Sequence, residues 1–179
     1  MQNIFKKTLL AAATATLLAG TAYAGGHEEK VGVILGFTGP IESLTPTMAD
    51  SAELAFAEAS NSGLLLDGKV LVAVRADSTC VDSSAATAAA ERLVNSDNVV
   101  AIMGADCSGV TGAIAKNVGA PNGVAMVSPS ATSPALSAIE DSGVFFRTAP
   151  SDARQCAVLA DIVLCRGLDS VEVTSINNA

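Results

Sequence analysis

The chain has 179 residues, a length that fits one compact domain. Half of the residues are hydrophobic and 16% are charged, a balance that argues against a disordered tail. The formal charge is −8, from 18 acids against 10 bases, which argues against a nucleic-acid binder because such a protein carries a basic face.

Residues 1–24 read as a secretory signal peptide. Lys6 and Lys7 form a positive start, Leu9 to Ala19 a short apolar stretch, and Ala22-Tyr23-Ala24 a small-x-small cleavage site. The competing reading, a membrane anchor, is disfavoured because the stretch is short and ends in the A-x-A pattern; later in the chain no apolar run approaches the ~20 residues of a membrane span. Cleavage after Ala24 takes 24 residues from 179 and leaves 155; with two lysines gone, eight bases face 18 acids and the charge becomes −10. Export places the four cysteines in a compartment where disulfides persist. His27 is the single histidine and falls in the expected free mature N-terminus, so neither a metal site nor a triad needing an ordered imidazole is expected.

From Lys30 onward strands and helices alternate. Val31 to Leu35 is an apolar run entering the loop Gly36-Phe-Thr-Gly-Pro40. Thr45 is the expected N-cap before Pro46, and Ala52, Ala55, Phe56 and Ala59 keep the spacing of an amphipathic helix. Lys69 to Ala76 is a second strand, and Asp82 caps a helix whose apolar face is Ala86, Ala89, Ala90, Leu93 and Val94. Val99 to Met103 is a third strand, followed by a helix from about Gly109 to Val118 with Gly119 as its stop. Gly123 to Val127 is a fourth strand, Ser133-Pro134 opens a helical turn, and Val144 to Arg147 is a short fifth extended run. Near-continuous apolar strands alternating with alanine-rich helices predict an α/β fold, a doubly wound parallel sheet of flavodoxin-like or Rossmann-like type. Ser151 caps a last helix to about Arg166, stopped by Gly167, and Val171 to Ile176 reads as another strand.

In such sheets ligands sit beyond the carboxyl ends of the strands. The loops Gly36 to Pro40, Asp106 to Gly109 and Ser128 to Thr132 are therefore the candidate positions. Ser108 falls at the expected N-cap of the third helix, where a hydroxyl beside free N–H groups suits a carboxylate; the alternative is a cap that serves only its own helix. Thr132 offers a hydroxyl and Ser130 a backbone carbonyl, a combination that suits an ammonium group; the alternative is a turn that satisfies itself. Cys80 and Cys107 follow the second and third strands at one sheet edge, and read either as a disulfide worth ~3–4 kcal/mol or as two free thiols. Cys156 and Cys165 lie on opposite faces of the last helix, ~13 Å apart along its axis, too far to bridge; Cys156 shares a face with Leu159 and Val163 and is expected in the core, Cys165 as an exposed thiol. Asp77 and Asp106 end strands and could bind metal; without histidine partners they read instead as loop-stabilising or solvated. No nucleophile elbow, Walker loop, G-x-G-x-x-G after a strand or C-x-x-C is present.

The set Val31–Pro40, Asp77-Ser-Thr-Cys80 with the alanine-rich helix after it, Gly104-Ala-Asp-Cys-Ser108, Val127-Ser-Pro-Ser-Ala-Thr-Ser-Pro134 and Phe146-Arg-Thr-Ala-Pro-Ser151 resembles the amino-terminal part of the branched-chain amino acid (Leu/Ile/Val-binding) periplasmic solute-binding proteins of ABC importers, over roughly residues 30–178. The resemblance implies a two-lobe (type I) protein that closes on its ligand by a hinge. It implies a Cys80–Cys107 disulfide, Ser108 holding the ligand α-carboxylate, and Ser130 by its carbonyl with Thr132 by its hydroxyl and N–H completing an α-amino-acid clamp. Leu44 stands near a position where many relatives carry an aromatic ligand contact, and the last two cysteines depart from a family glycine near Cys156. Family members are about twice this size, so the expected plan is residues 25–150 as the first lobe and 151–179 as the start of a second, with the family's ammonium-binding acid and other aromatic contacts beyond the sequence. The implied function is a non-enzymatic, periplasmic, monomeric binding component that delivers an amino acid to a membrane permease, without metal, cofactor or nucleic acid. The alternatives are a sensor or receptor for amides, urea or aromatic acids on the same fold, and an exported α/β enzyme; the lack of a nucleophile–base pair weighs against the last.

Overall fold

The computed structural model describes residues 27–65 and 68–174. The expected signal peptide and its cleavage site lie outside the described residues. Five strands form one sheet: β1 (Glu28–Leu35), β2 (Val70–Asp77), β3 (Ala101–Gly104), β4 (Ala125–Ser128) and β5 (Phe145–Arg147). Their order is β2-β1-β3-β4-β5 and every neighbouring pair is parallel. The predicted doubly wound sheet is thus present, with its switch point between β1 and β3. His27 is not free: its carbonyl accepts from the Val70 N–H at 3.2 Å.

Alternation along β1 divides the core. Val33 and Leu35 face one side, where they pack with Ala49 and Ala52 of helix α1 (Thr45–Asn61). Ile34 faces the other side, with Ala86, Ala90 and Leu93 of α2 (Ser83–Asn95) and Val110 and Ile114 of α3 (Ser108–Ile114). Alanine on the helices lets them approach closely, and Gly32 shows how closely: a Cβ there would lie 2.9 Å from Leu93 Cδ1. A backbone demand sits at Gly104, where φ is +129° and a Cβ would fall 2.0 Å from the Ile34 carbonyl oxygen. No L side chain fits there.

Several expected boundaries shift for identifiable reasons. Thr45 is not the N-cap but the first helical residue, because its hydroxyl turns inward to the Gly36 carbonyl at 3.0 Å and is fully buried. Ser108 likewise is the first residue of α3, with Cys107 as the cap. Gly119 does not stop the third helix. After α3 the chain runs through a wide π turn (Ala115–Gly119) into a final turn (Ala120–Asn122), and it ends at Gly123, which takes the left-handed φ of 64°. Gly119 is helical, and its lack of a side chain serves packing instead: Met126 Sδ lies 2.7 Å from where a Cβ would stand.

Asp82 caps α2 as predicted, accepting from the Ser84 and Ala85 N–H groups. Helix α4 (Asp152–Cys165) is capped by Ser151, and Gly167 follows it at φ 64°. None of its residues is buried. Cys156 is therefore exposed rather than in the core, as is Cys165; its expected neighbours Leu159 and Val163 belong to a face that the described residues leave open. The predicted strand at Val171–Ile176 does not form over Val171–Thr174, which has no strand neighbour among the described residues, and its last two residues lie outside them.

Candidate functional site

The loops that leave β1, β2, β3 and β4 meet at one end of the sheet, and two aspartates join them. Asp106, 4% exposed, accepts from the Gly36 N–H at 3.0 Å, the Ser78 hydroxyl at 3.3 Å and the Cys107 N–H at 3.1 Å. Its own carbonyl accepts from the Ser130 hydroxyl at 3.0 Å. Asp77 accepts from the Thr38 hydroxyl at 2.6 Å and from the Thr38 and Thr79 N–H groups. Burial pushes the Asp77 carboxyl up, but the Thr38 hydroxyl and the N–H groups of Thr79, Thr38 and Phe37 outweigh it and hold the carboxyl below its ordinary range. Both acids therefore organise loops, as the sequence suggests. Among the described residues no group of three or more His, Cys, Asp or Glu side chains could hold a metal ion.

Cys80 and Cys107 are joined by a disulfide, with their Cα atoms 5.2 Å apart. It ties the β2 loop to the residue that caps α3, immediately before Ser108.

Ser108, Ser130 and Thr132 come together at this end of the sheet. The Ser108 hydroxyl accepts from the Thr132 and Ser133 N–H groups, each at 3.1 Å. With both lone pairs engaged, the proton of Ser108 is left to be donated outward. The Thr132 N–H, which the resemblance assigns to the ligand, is thus bonded to Ser108.

The Thr132 hydroxyl donates to Asp152 Oδ2 at 2.8 Å, so its free lone pairs face outward as acceptors. The Ser130 carbonyl has no partner among the described residues. Its direction follows from its peptide group: the Ala131 N–H of the same trans unit donates to the Ser128 hydroxyl at 3.0 Å, which turns the Ser130 oxygen the opposite way. The site therefore presents one hydroxyl donor beside three acceptors: the Ser130 carbonyl, the Thr132 hydroxyl oxygen and the Asp152 carboxylate.

Asp152 was not singled out from sequence. In the sequence it appears only as an acid in the first turn of a helix, a common stabilising position. Its distance from Thr132 depends on the path of the crossing segment, residues 148–151 between β5 and α4. Leu44, which the resemblance sets near an aromatic ligand contact, is 60% exposed.

Residues 28–172 match the family model described as periplasmic binding protein. Among curated relatives, the Leu/Ile/Val/Thr-binding protein of Salmonella typhimurium is 33% identical over 158 residues, covering 88% of this chain and 41% of that protein. The chemotactic signal transduction system substrate-binding protein BasB of Halobacterium salinarum is 34% identical over 162 residues, covering 86% of this chain and 38% of that protein. Among solved structures, an ABC transporter substrate-binding protein from Desulfitobacterium hafniense in complex with Leu superposes with a TM-score of 0.66 at 28% identity, covering 79% of this chain and 40% of that one. The chain thus spans about two-fifths of the length of these relatives. With the parallel sheet, the loop cluster and a match over most of its length, the chain belongs to the periplasmic binding protein family.

Proposed function

We propose that residues 25–150 form a ligand-binding lobe for an α-amino acid of the branched-chain type, in an exported solute-binding component of an ABC importer that hands its ligand to a membrane permease, and that residues 151–179 open a second lobe. The observation that carries this reading is the polarity of the site. A hydroxyl donor at Ser108 suits a carboxylate, and three acceptors at Ser130, Thr132 and Asp152 suit an ammonium group. A zwitterionic α-amino acid carries both charges on adjacent atoms. A purely anionic aromatic acid leaves the acceptors facing a like charge, and a neutral amide leaves Asp152 without its counter-charge. The roles are binding and orientation, without a chemical step. The Salmonella and Desulfitobacterium relatives, named for or bound to branched-chain amino acids, support the same substrate class.

The test is an NMR titration of the isotopically labelled chain with leucine, isovalerate and isoamylamine. The last two each lack one of the two charged groups. Leucine is expected to shift the Ser108, Ala131 and Thr132 amides, with the single-charge analogues weaker by about 1–3 kcal/mol for each lost charged hydrogen bond. Equal responses to all three, or none at millimolar leucine, would overturn the assignment. A sensory role is the second reading, favoured by the chemotactic Halobacterium relative; it uses the same site and differs in the membrane partner.

A further inference from the structure

The chain that leaves β5 is bonded at Thr148 and again at Asp152 to the loop that carries the candidate site. The Thr148 N–H donates to the Ser128 carbonyl at 3.0 Å and its hydroxyl to the Pro129 carbonyl at 3.2 Å. The Asp152 N–H donates to the Thr132 carbonyl at 3.0 Å. At the head of this series, Arg147 Nη1 donates to the Ala131 carbonyl at 3.3 Å and the Ser133 carbonyl at 2.8 Å, and Nη2 donates to the Ser137 hydroxyl at 2.5 Å.

Arg147 is unusual among the arginines bonded here. Arg75 pairs with Asp50 and Glu53, and Arg92 with Asp97. Arg147 is half-buried and has no carboxylate partner among the described residues; its donors go to neutral oxygens. A guanidinium stays charged and fixes its N–H donors in one plane, so the two N–H groups of Nη1 hold the two carbonyls while Nη2 anchors the group on the Ser137 hydroxyl.

The two carbonyls it holds flank Thr132. In a trans peptide the C=O and the next N–H point in opposite directions. Drawing the Ala131 carbonyl to Arg147 therefore aims the Thr132 N–H away from it, toward Ser108. That bond occupies a lone pair of Ser108 and so sets which way the serine proton is free to go. Fixing the Ser133 carbonyl secures the far side of Thr132, ahead of the 3-10 turn (Pro134–Ser137) that Ser133 caps.

We propose that Arg147 is a positioning residue for the amino-acid site: it does not touch ligand, but clamps the Ala131–Ser133 loop so that Ser108 donates and Thr132 and Ser130 accept. This rests on the function proposed above. It also makes β5 and the crossing segment one unit with the binding loop, so that ordering the loop orders the exit toward α4.

The test uses the full chain as wild type, Arg147→Met and Arg147→Lys, with two readouts. In the unliganded protein, amide exchange of Thr132 and Ser133 is expected to rise about tenfold in Arg147→Met, while Val33 in the core is unchanged. Leucine affinity is expected to fall by about tenfold or more in Arg147→Met, with Arg147→Lys between it and wild type because one carbonyl bond survives. Unchanged exchange at Thr132 and Ser133 overturns the clamp. Faster exchange with unchanged leucine affinity also overturns it, since the arginine then only stiffens the loop. Should wild type itself not respond to leucine, the function reading has failed; the exchange readout, which needs no ligand, shows separately whether the clamp exists. Arg147→Lys keeps the test decisive if Arg147→Met does not fold.

Discussion

Replacing both cysteines of the disulfide, as Cys80→Ala/Cys107→Ala, isolates the bond that joins the β2 and β3 loops. The two positions are 27 residues apart. Closing a loop of that length removes about 3.5 kcal/mol of unfolded-chain entropy at 25 °C in the loop-closure treatment. An opposing contribution comes from the loop itself. Thr79 and Cys80 hold φ values of 57° and 67°, a conformation that non-glycine residues adopt at a cost. Released from the bond, the pair can relax by about 1–2 kcal/mol. The net loss is then about 2 kcal/mol, or about 6 °C in Tm for a chain of this size. Alanine suits the test because Cys80 is buried. The assay is urea unfolding followed by circular dichroism, on oxidised wild type, reduced wild type and the double variant. Reduced wild type and the double variant should coincide, and both should show a larger m-value because the unfolded chain is no longer cross-linked. A loss below about 0.5 kcal/mol with an unchanged m-value would refute the reasoning, since the bond would then constrain neither state.

Three further outcomes follow from the loop cluster and the sheet. Gly104→Ala places a Cβ 2.0 Å from the Ile34 carbonyl oxygen at a φ of +129°, and should cost about 3 kcal/mol or more by forcing β1 and β3 apart; a melting temperature equal to wild type would contradict this. Asp106→Ala leaves the buried Gly36 N–H and the half-buried Cys107 N–H without acceptors and should cost about 3 kcal/mol in chemical denaturation, with Asp106→Asn less severe because one oxygen remains. Asp77 has a folded-state carboxyl held below its ordinary value, so its contribution is present above the unfolded carboxyl range near pH ~4 and is lost as pH falls through the lower folded value. Asp77→Asn should therefore flatten the acid limb of a stability–pH profile, and an unchanged slope below pH ~4 would show that Asp77 contributes nothing there.

The elements were legible because their signals are local. The apolar run of β1, the period of α2 with its Asp82 cap, and Gly167 after α4 each depend on residues within a few positions of one another. Where local signals misled, a distant residue had intervened. Gly119 looks like a helix stop but is the gap into which Met126 packs, and Thr45 looks like a cap but donates its hydroxyl to the Gly36 carbonyl. The face of Cys156, Leu159 and Val163 and the Val171 run read as buried and extended, but nothing among the described residues covers that face or pairs with that run.

The sequence by itself determined the α/β class, the loops in which polar residues gather and the pair of cysteines placed to join. Periodicity and strand-end position carry that information residue by residue. Only the tertiary structure decided the direction of each hydrogen bond at the site. The Ser108 hydroxyl accepts twice from the β4 loop, the Thr132 hydroxyl donates to Asp152, and Arg147 holds the carbonyls on either side of Thr132. These partners are 14 to 25 positions apart in the chain. Whether a hydroxyl acts as donor or acceptor is set by which neighbour reaches it first, and a neighbour at that separation is chosen by the path of the fold.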